Sequence, residues 1–222
     1  MTQQERTLGW VYFFIELFLL PGLLSWINGL LPHPFHTATL NFIFFSVNFA
    51  CILMIFHSFL GRSLSAAGKQ FWDFLQSSVL GFVAYWVLSM VLAQLIQLLL
   101  PGFANVNDQS IAALAGTHYV LMFIGTVILV PTVEETLFRG LIFRGLHGRG
   151  RFLAYSVSIT AFCLVHVTGY IGSVDLLTLC ACILQYIPAG LCLAWAYEKS
   201  GSIFAPILIH TAINTIGIYA LR

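Results

Sequence analysis

Apolar residues run along this chain in long unbroken blocks, with no regular alternation. Seven blocks stand out, at 9–31, 39–60, 71–100, 117–146, 152–168, 175–197 and 203–221. A helix that crosses a bilayer needs about 20 apolar residues, and each block reaches or nearly reaches that length. Membrane strands alternate and are shorter. The pattern therefore predicts an all-α, polytopic bundle of about seven transmembrane helices. Short stretches rich in Gly, Pro, Ser and Asn separate the blocks, among them "LPHPFH", "PGFANVND", "HGRGR" and "EKSGS". Pro21 and Pro188 fall inside the first and sixth blocks, where a break or re-entrant turn would change the count.

The few cations sort by side. With the N-terminus in the cytoplasm, the inner segments hold Arg6, Arg62, Lys69, Arg144, Arg149, Arg151 and Lys199. The outer loops at 101–116 and 169–174 hold none, and the terminal Arg222 is the exception. That asymmetry follows the positive-inside rule. The first block is longer than a signal-peptide core of roughly 7–15 residues and lacks a small-residue cleavage site, so it reads as a retained span.

Composition agrees. Residues are 59% hydrophobic and 8% charged, against about 25% charged in soluble domains. A net charge of +1 gives no reason to expect a nucleic-acid partner. All five cysteines lie in apolar blocks without a CxxC pair, so they read as small packing residues. Residues 1–222 read as one integral membrane domain, with N-terminal spans over 1–116 and a second set of spans over 117–222.

Against this background "LVPTVEETLFRG" is anomalous, because Glu134, Glu135 and Arg139 follow an apolar run directly. Each charge at a helix centre costs on the order of 2.5–3.5 kcal/mol, and the trio on the order of 7–10 kcal/mol before partners are found. Glu135 and Arg139 are i, i+4 with the acid first, the favourable order for pairing. Glu134 lies about 100° around the helix and needs a different partner. Two other blocks offer them: Phe162 and His166 share one helical face, and so do His210 and Asn214. Polar groups in hydrocarbon face the bundle interior and find one another. Pro131 and Pro206 each remove a backbone donor just upstream of Glu134 and His210. Glu16 is a further intramembrane acid, readable as a packing contact or a gate. Asn48, His57 and Gln94 read as interhelical glue.

A carboxylate and an imidazole that share a water can take its proton and deliver hydroxide to a carbonyl. A second imidazole and a carboxamide can donate to the oxyanion. The order EExxxR, FxxxH, HxxxN resembles the CAAX protease and bacteriocin-processing family of glutamate intramembrane endopeptidases. That family includes the type II CAAX prenyl endopeptidases and abortive-infection-type bacterial proteins. The resemblance spans about residues 117–220. It implies catalytic roles for Glu134, His166, His210 and Asn214: Glu134 as general base sharing the water with His166, His210 and Asn214 as the oxyanion hole. Glu135, Arg139 and Phe162 would shape the site.

No cofactor is implied. Zinc is the minority alternative, held by Glu134, His166 and His210. The implied substrate is a membrane-anchored or lipidated protein or peptide, cut near its C-terminus, in a bacterial or archaeal inner membrane. A non-catalytic immunity or scaffold protein of the same fold is the alternative. A proton-relay transporter is a third reading, and the lack of repeated halves speaks against it.

Overall fold

The computed structural model describes residues 1–220. Leu221 and Arg222, the end of the last predicted block and the outlying cation, lie outside the described residues. Among the described residues seven main helical stretches follow one another, with a single 3₁₀ turn at Thr168–Tyr170 between the fifth and sixth. They are α1 (Gln3–Gly29), α2 (Thr37–Lys69), α3 (Phe71–Leu99), α4 (Val106–His147), α5 (Arg151–Val165), α6 (Leu176–Ser200) and α7 (Phe204–Ala220). There is no strand among the described residues, only an isolated bridge between Ile171 and Val174. The protein is an all-α membrane bundle. Five helices (α1, α2, α3, α4 and α6) are long and apolar enough to cross a bilayer, whereas α5 and α7 are shorter apolar helices.

The prolines do not interrupt the helices that contain them. Pro188 is inside the continuous α6, and Pro21 falls in the first turn that follows a π-helical segment at Ile15–Leu19. The larger departure is at 101–116, expected to be an outer loop. There the chain is already helical from Val106 onward. The polar residues taken as loop punctuation act as a cap: the Asn105 side chain accepts from the backbone N–H groups of Asn107 and Asp108. Backbone geometry breaks at His118 (φ −137°, ψ 54°), close to the predicted start of the span. Asp175 caps α6 similarly, and the Thr178 hydroxyl and N–H bonds hold its carboxyl below the usual range.

Lipid tails are as apolar as Leu, so helices in a bilayer associate through close packing and hydrogen bonds. Both are visible. A Cβ on Gly81 of α3 would meet Ile209 Cδ1 at 2.8 Å and Ala196 Cβ at 3.3 Å, so α3, α6 and α7 approach as only glycine allows. Asn48 of α2 accepts a hydrogen bond from the Tyr12 hydroxyl of α1, as expected of interhelical glue. His57 instead stays exposed and bonds Met54 O of its own helix. The α2 backbone leaves helical geometry at Phe56. Just beyond that break, buried Glu5 accepts the Phe59 N–H at 2.6 Å and pairs with Arg62 at 2.9 Å.

Arg62–Glu5, Arg144–Tyr197 and Arg151–Glu198 contacts gather the cationic ends of the helices together. Between α1, α2 and α4–α7 lies the main core, with Phe56, Phe59, Leu137, Phe143, Phe162 and Leu193 fully or almost fully buried.

Candidate active site

α4 carries the two glutamates on a short α-helical turn, Val130–Glu135. It sits between π-helical stretches at Ile124–Leu129 and Thr136–Phe143. Such i→i+5 turns are uncommon and concentrate at functional sites. Pro131, which has no N–H to give, sits at the start of the intervening turn.

Glu135 and Arg139 pair as their spacing predicts, Nη1 to Oε1 at 3.0 Å, with both side chains fully buried. Arg139 Nη2 also donates to the carbonyl of Gly190 on α6 at 3.2 Å. Its guanidinium lies 4.3 Å from the centre of the Phe162 ring, a cation–π contact strengthened by the absence of water. The close carbonyl depends on Gly190: a Cβ there would sit 3.1 Å from Ile159 Cγ2 on α5. Arg139 thus ties α4 to α5 and α6, while Glu135 receives a second donor. His210 Nδ1 on α7 stands 2.8 Å from the same Glu135 Oε1.

Glu134 points elsewhere, as the offset of adjacent helical residues requires. Its Oε2 is buried without a hydrogen-bond partner. Two imidazoles face that oxygen, His166 Nε2 at 3.8 Å and His210 Nε2 at 4.0 Å. His166 Nδ1 is 2.8 Å from the Phe162 carbonyl. A carbonyl only accepts, so the proton is on Nδ1, and the Nε2 of a neutral ring presents its lone pair toward Glu134. Asn214 donates from Nδ2 to Thr126 O at 2.7 Å, within the first π-helical stretch, and keeps one N–H free of that bond.

Glu134, Phe162, His166, His210 and Asn214 all line one cavity of about 1250 Å³, bounded by residues from α1 through α7. Glu135 and Arg139 are sealed behind its wall. Glu16, the intramembrane acid of α1, also lines this cavity and lies on the π-helical turn of its helix. No three or more His, Cys, Asp or Glu side chains stand close enough to hold a metal ion among the described residues.

Sequence reasoning missed three parts of this arrangement. One is the His210–Glu135 bond, and another is the Gly190 carbonyl. The third is Tyr186 of α6, whose ring lies 4.3 Å from that of His166. Around Tyr186 a polar group assembles from Asn105, Asn107, Tyr170 and Gln185. The adjacent polar pair Gln185–Tyr186 inside an apolar block was the available signal.

Residues 115–216, from α4 to the last turns of α7, match the family model described as type II CAAX prenyl endopeptidase Rce1-like. Over this segment the chain is similar to that family. The match contains all of the convergent residues just described, from Glu134 to Asn214. No curated protein and no solved structure matches the chain.

Proposed function

We propose that this protein is an intramembrane endopeptidase that cuts a membrane-anchored or lipidated protein near its C-terminus, using a water activated by Glu134 and His166. The observation that carries the reading is the convergence of His166 Nε2 and His210 Nε2 on the unpartnered Glu134 Oε2, at 3.8 and 4.0 Å. These distances are too long for direct hydrogen bonds and suit one water oxygen lying between the groups.

In this reading Glu134 takes the proton of that water, with the His166 lone pair as the second acceptor, and hydroxide adds to the peptide carbonyl. The oxyanion meets His210 and the remaining Asn214 N–H. Donation from His210 Nε2 requires a second ring proton, because Nδ1–H is given to Glu135. Glu135 is then the counterion of that imidazolium as well as of Arg139. Collapse of the intermediate returns a proton through Glu134 to the leaving amine. No cofactor takes part. A prenylated chain, as the family description names, suits a cavity whose wall mixes the apolar Phe44, Phe45, Trp86 and Ile213 with these polar groups.

We place the N-terminus on the cytoplasmic side of a bacterial or archaeal cell membrane. The gathering of Arg62, Arg144 and Arg151 at one end of the bundle supports that orientation.

The test is proteomics of C-termini in membranes that hold the parent or Glu134→Gln. New C-termini that appear with the parent and vanish with the variant are expected. Identical sets of termini would sink the reading. A quenched-fluorescent peptide with a farnesylated cysteine near its C-terminus then gives rates in detergent.

A further inference from the structure

His166 is the first residue beyond α5 and its C-cap, still with helical backbone angles (φ −75°, ψ −16°). Its side chain is held on several sides. Nδ1 donates to Phe162 O at 2.8 Å, and the Phe162 ring lies 4.6 Å from the imidazole at 53°. Both contacts come from its own helix. The third comes from α6: the Tyr186 ring lies 4.3 Å away, tilted by 31°. The Phe162 and Tyr186 centres are 6.5 Å apart, so the two rings stand about a right angle apart around His166. They close two sides of the imidazole and leave its Nε2 edge toward Glu134.

Tyr186 is itself fixed, and from a different element. Its hydroxyl accepts from Asn107 Nδ2 at 3.0 Å and reaches Asn105 Oδ1 at 3.5 Å. Asn107 Oδ1 in turn accepts from the Tyr170 hydroxyl at 3.3 Å, and Asn105 Nδ2 donates to Gln185 at 2.8 Å. Asn105 is also the cap of α4. A chain of contacts thus runs from the first turn of α4, through the Tyr186 hydroxyl and ring, to His166.

We propose that Tyr186 is a positioning residue, whose ring holds His166 with Nε2 toward Glu134 and whose hydroxyl is seated by the start of α4. The proposal rests on the role of His166 given above. A ring that only filled space would need no particular relation to the imidazole, and its loss would be felt equally with or without His166.

Two measurements separate these cases. The first uses the farnesylated reporter peptide. Tyr186→Leu is expected to lower kcat by about 10- to 100-fold, the effect of displacing a catalytic group by about 1 Å, with KM within about twofold. Tyr186→Phe keeps the ring and is expected to stay within about threefold of the parent. In a His166→Ala background Tyr186→Leu should change nothing further. An equal loss in both backgrounds, or a change in KM alone, overturns the proposal.

The second needs no turnover. In nanodiscs with ¹⁵N-labelled histidine, the His166 ring should show one tautomer, Nδ1–H, in the parent, and modest broadening in Tyr186→Phe, which keeps the ring but loses the hydroxyl seat. It should show broadened or mixed signals in Tyr186→Leu. Unchanged His166 signals in Tyr186→Leu overturn the positioning role whatever the reaction is. Should Tyr186→Leu fail to fold, Asn107→Ala releases the hydroxyl with the ring in place and is expected to broaden the same signals. Unchanged signals there overturn the seating by α4. If His166→Ala cleaves as fast as the parent while the ring signals respond as expected, the catalytic reading falls and the positioning stands.

Discussion

His210 Nδ1 and Arg139 Nη1 meet at a single atom, Glu135 Oε1, at 2.8 and 3.0 Å. One fully buried carboxylate therefore serves both a structural cation and the imidazole that faces Glu134. Its neighbour Glu134 has neither duty. The two adjacent acids should separate experimentally into one that holds the fold and one that serves the reaction.

Glu135→Ala leaves Arg139 buried without a counterion, a change that costs about 3–5 kcal/mol. Unfolding in mild detergent should show that loss directly. Glu134→Ala is expected to stay within about 1 kcal/mol of the parent, yet to lose cleavage. Equal destabilisation by both substitutions would contradict the division.

Asn214→Ala should lower kcat by about 100- to 1000-fold with little change in KM, the usual effect of removing one oxyanion donor. Initial rates on the farnesylated reporter measure it. A rise in KM at constant kcat would instead mark Asn214 as a ground-state binding group.

Gly190→Ala pushes a methyl group to 3.1 Å from Ile159 Cγ2 and strains the approach that brings the Gly190 carbonyl to Arg139. Overpacking of this kind costs about 1–3 kcal/mol. Ile159→Ala in the same chain should restore part of the loss. If it restores none, the contact is not the cause.

Zinc held at about 2.0–2.2 Å by tetrahedral nitrogen and oxygen ligands brings those atoms to about 3.3–3.6 Å from one another. The Glu134–His166 and Glu134–His210 separations are wider, 3.8 and 4.0 Å. Active protein treated with a strong chelator is expected to keep its rate and to contain no stoichiometric zinc. Loss of activity to the chelator, regained with zinc, would replace the carboxylate mechanism with a metal one.

Glu16, Asp108 and Glu134 line the cavity, and no Lys or Arg does among the described residues. A free C-terminal carboxylate on the released piece finds no lysine or arginine to pair with there. Amidating the C-terminus of the reporter should leave KM within about twofold or lower it. A tenfold rise in KM would mean that a cation recognises the carboxylate.

Much of the geometry of the candidate site was legible because helices translate spacing into direction. Glu135 and Arg139 pair within one helix, so i, i+4 was sufficient to predict it. The divergence of Glu134 followed from the same geometry, and two residues of the paired faces, His166 and His210, stand against it at 3.8 and 4.0 Å. The bond from His210 to Glu135 was not legible, since it depends on how α7 packs against α4. The Gly190 carbonyl carries no side-chain signature at all. Tyr186 looked like one aromatic among many until α6 placed it on His166. The first turns of α4 were read as loop because Asn105 and Asn107 signal a turn and a cap equally well.

The π-helical stretches on either side of Val130–Glu135 bear on how such a chain tolerates insertions and deletions. A wide turn holds one residue more than an α turn, so it can absorb or surrender a residue while the helix on either side keeps its facing. One residue added or removed within 130–135 has no such slack. It would swing Glu134 and Glu135 by about 100°, taking one acid out of the cavity and the other off Arg139. Chain length between the two wide turns, as much as side-chain chemistry, sets where the carboxylates aim.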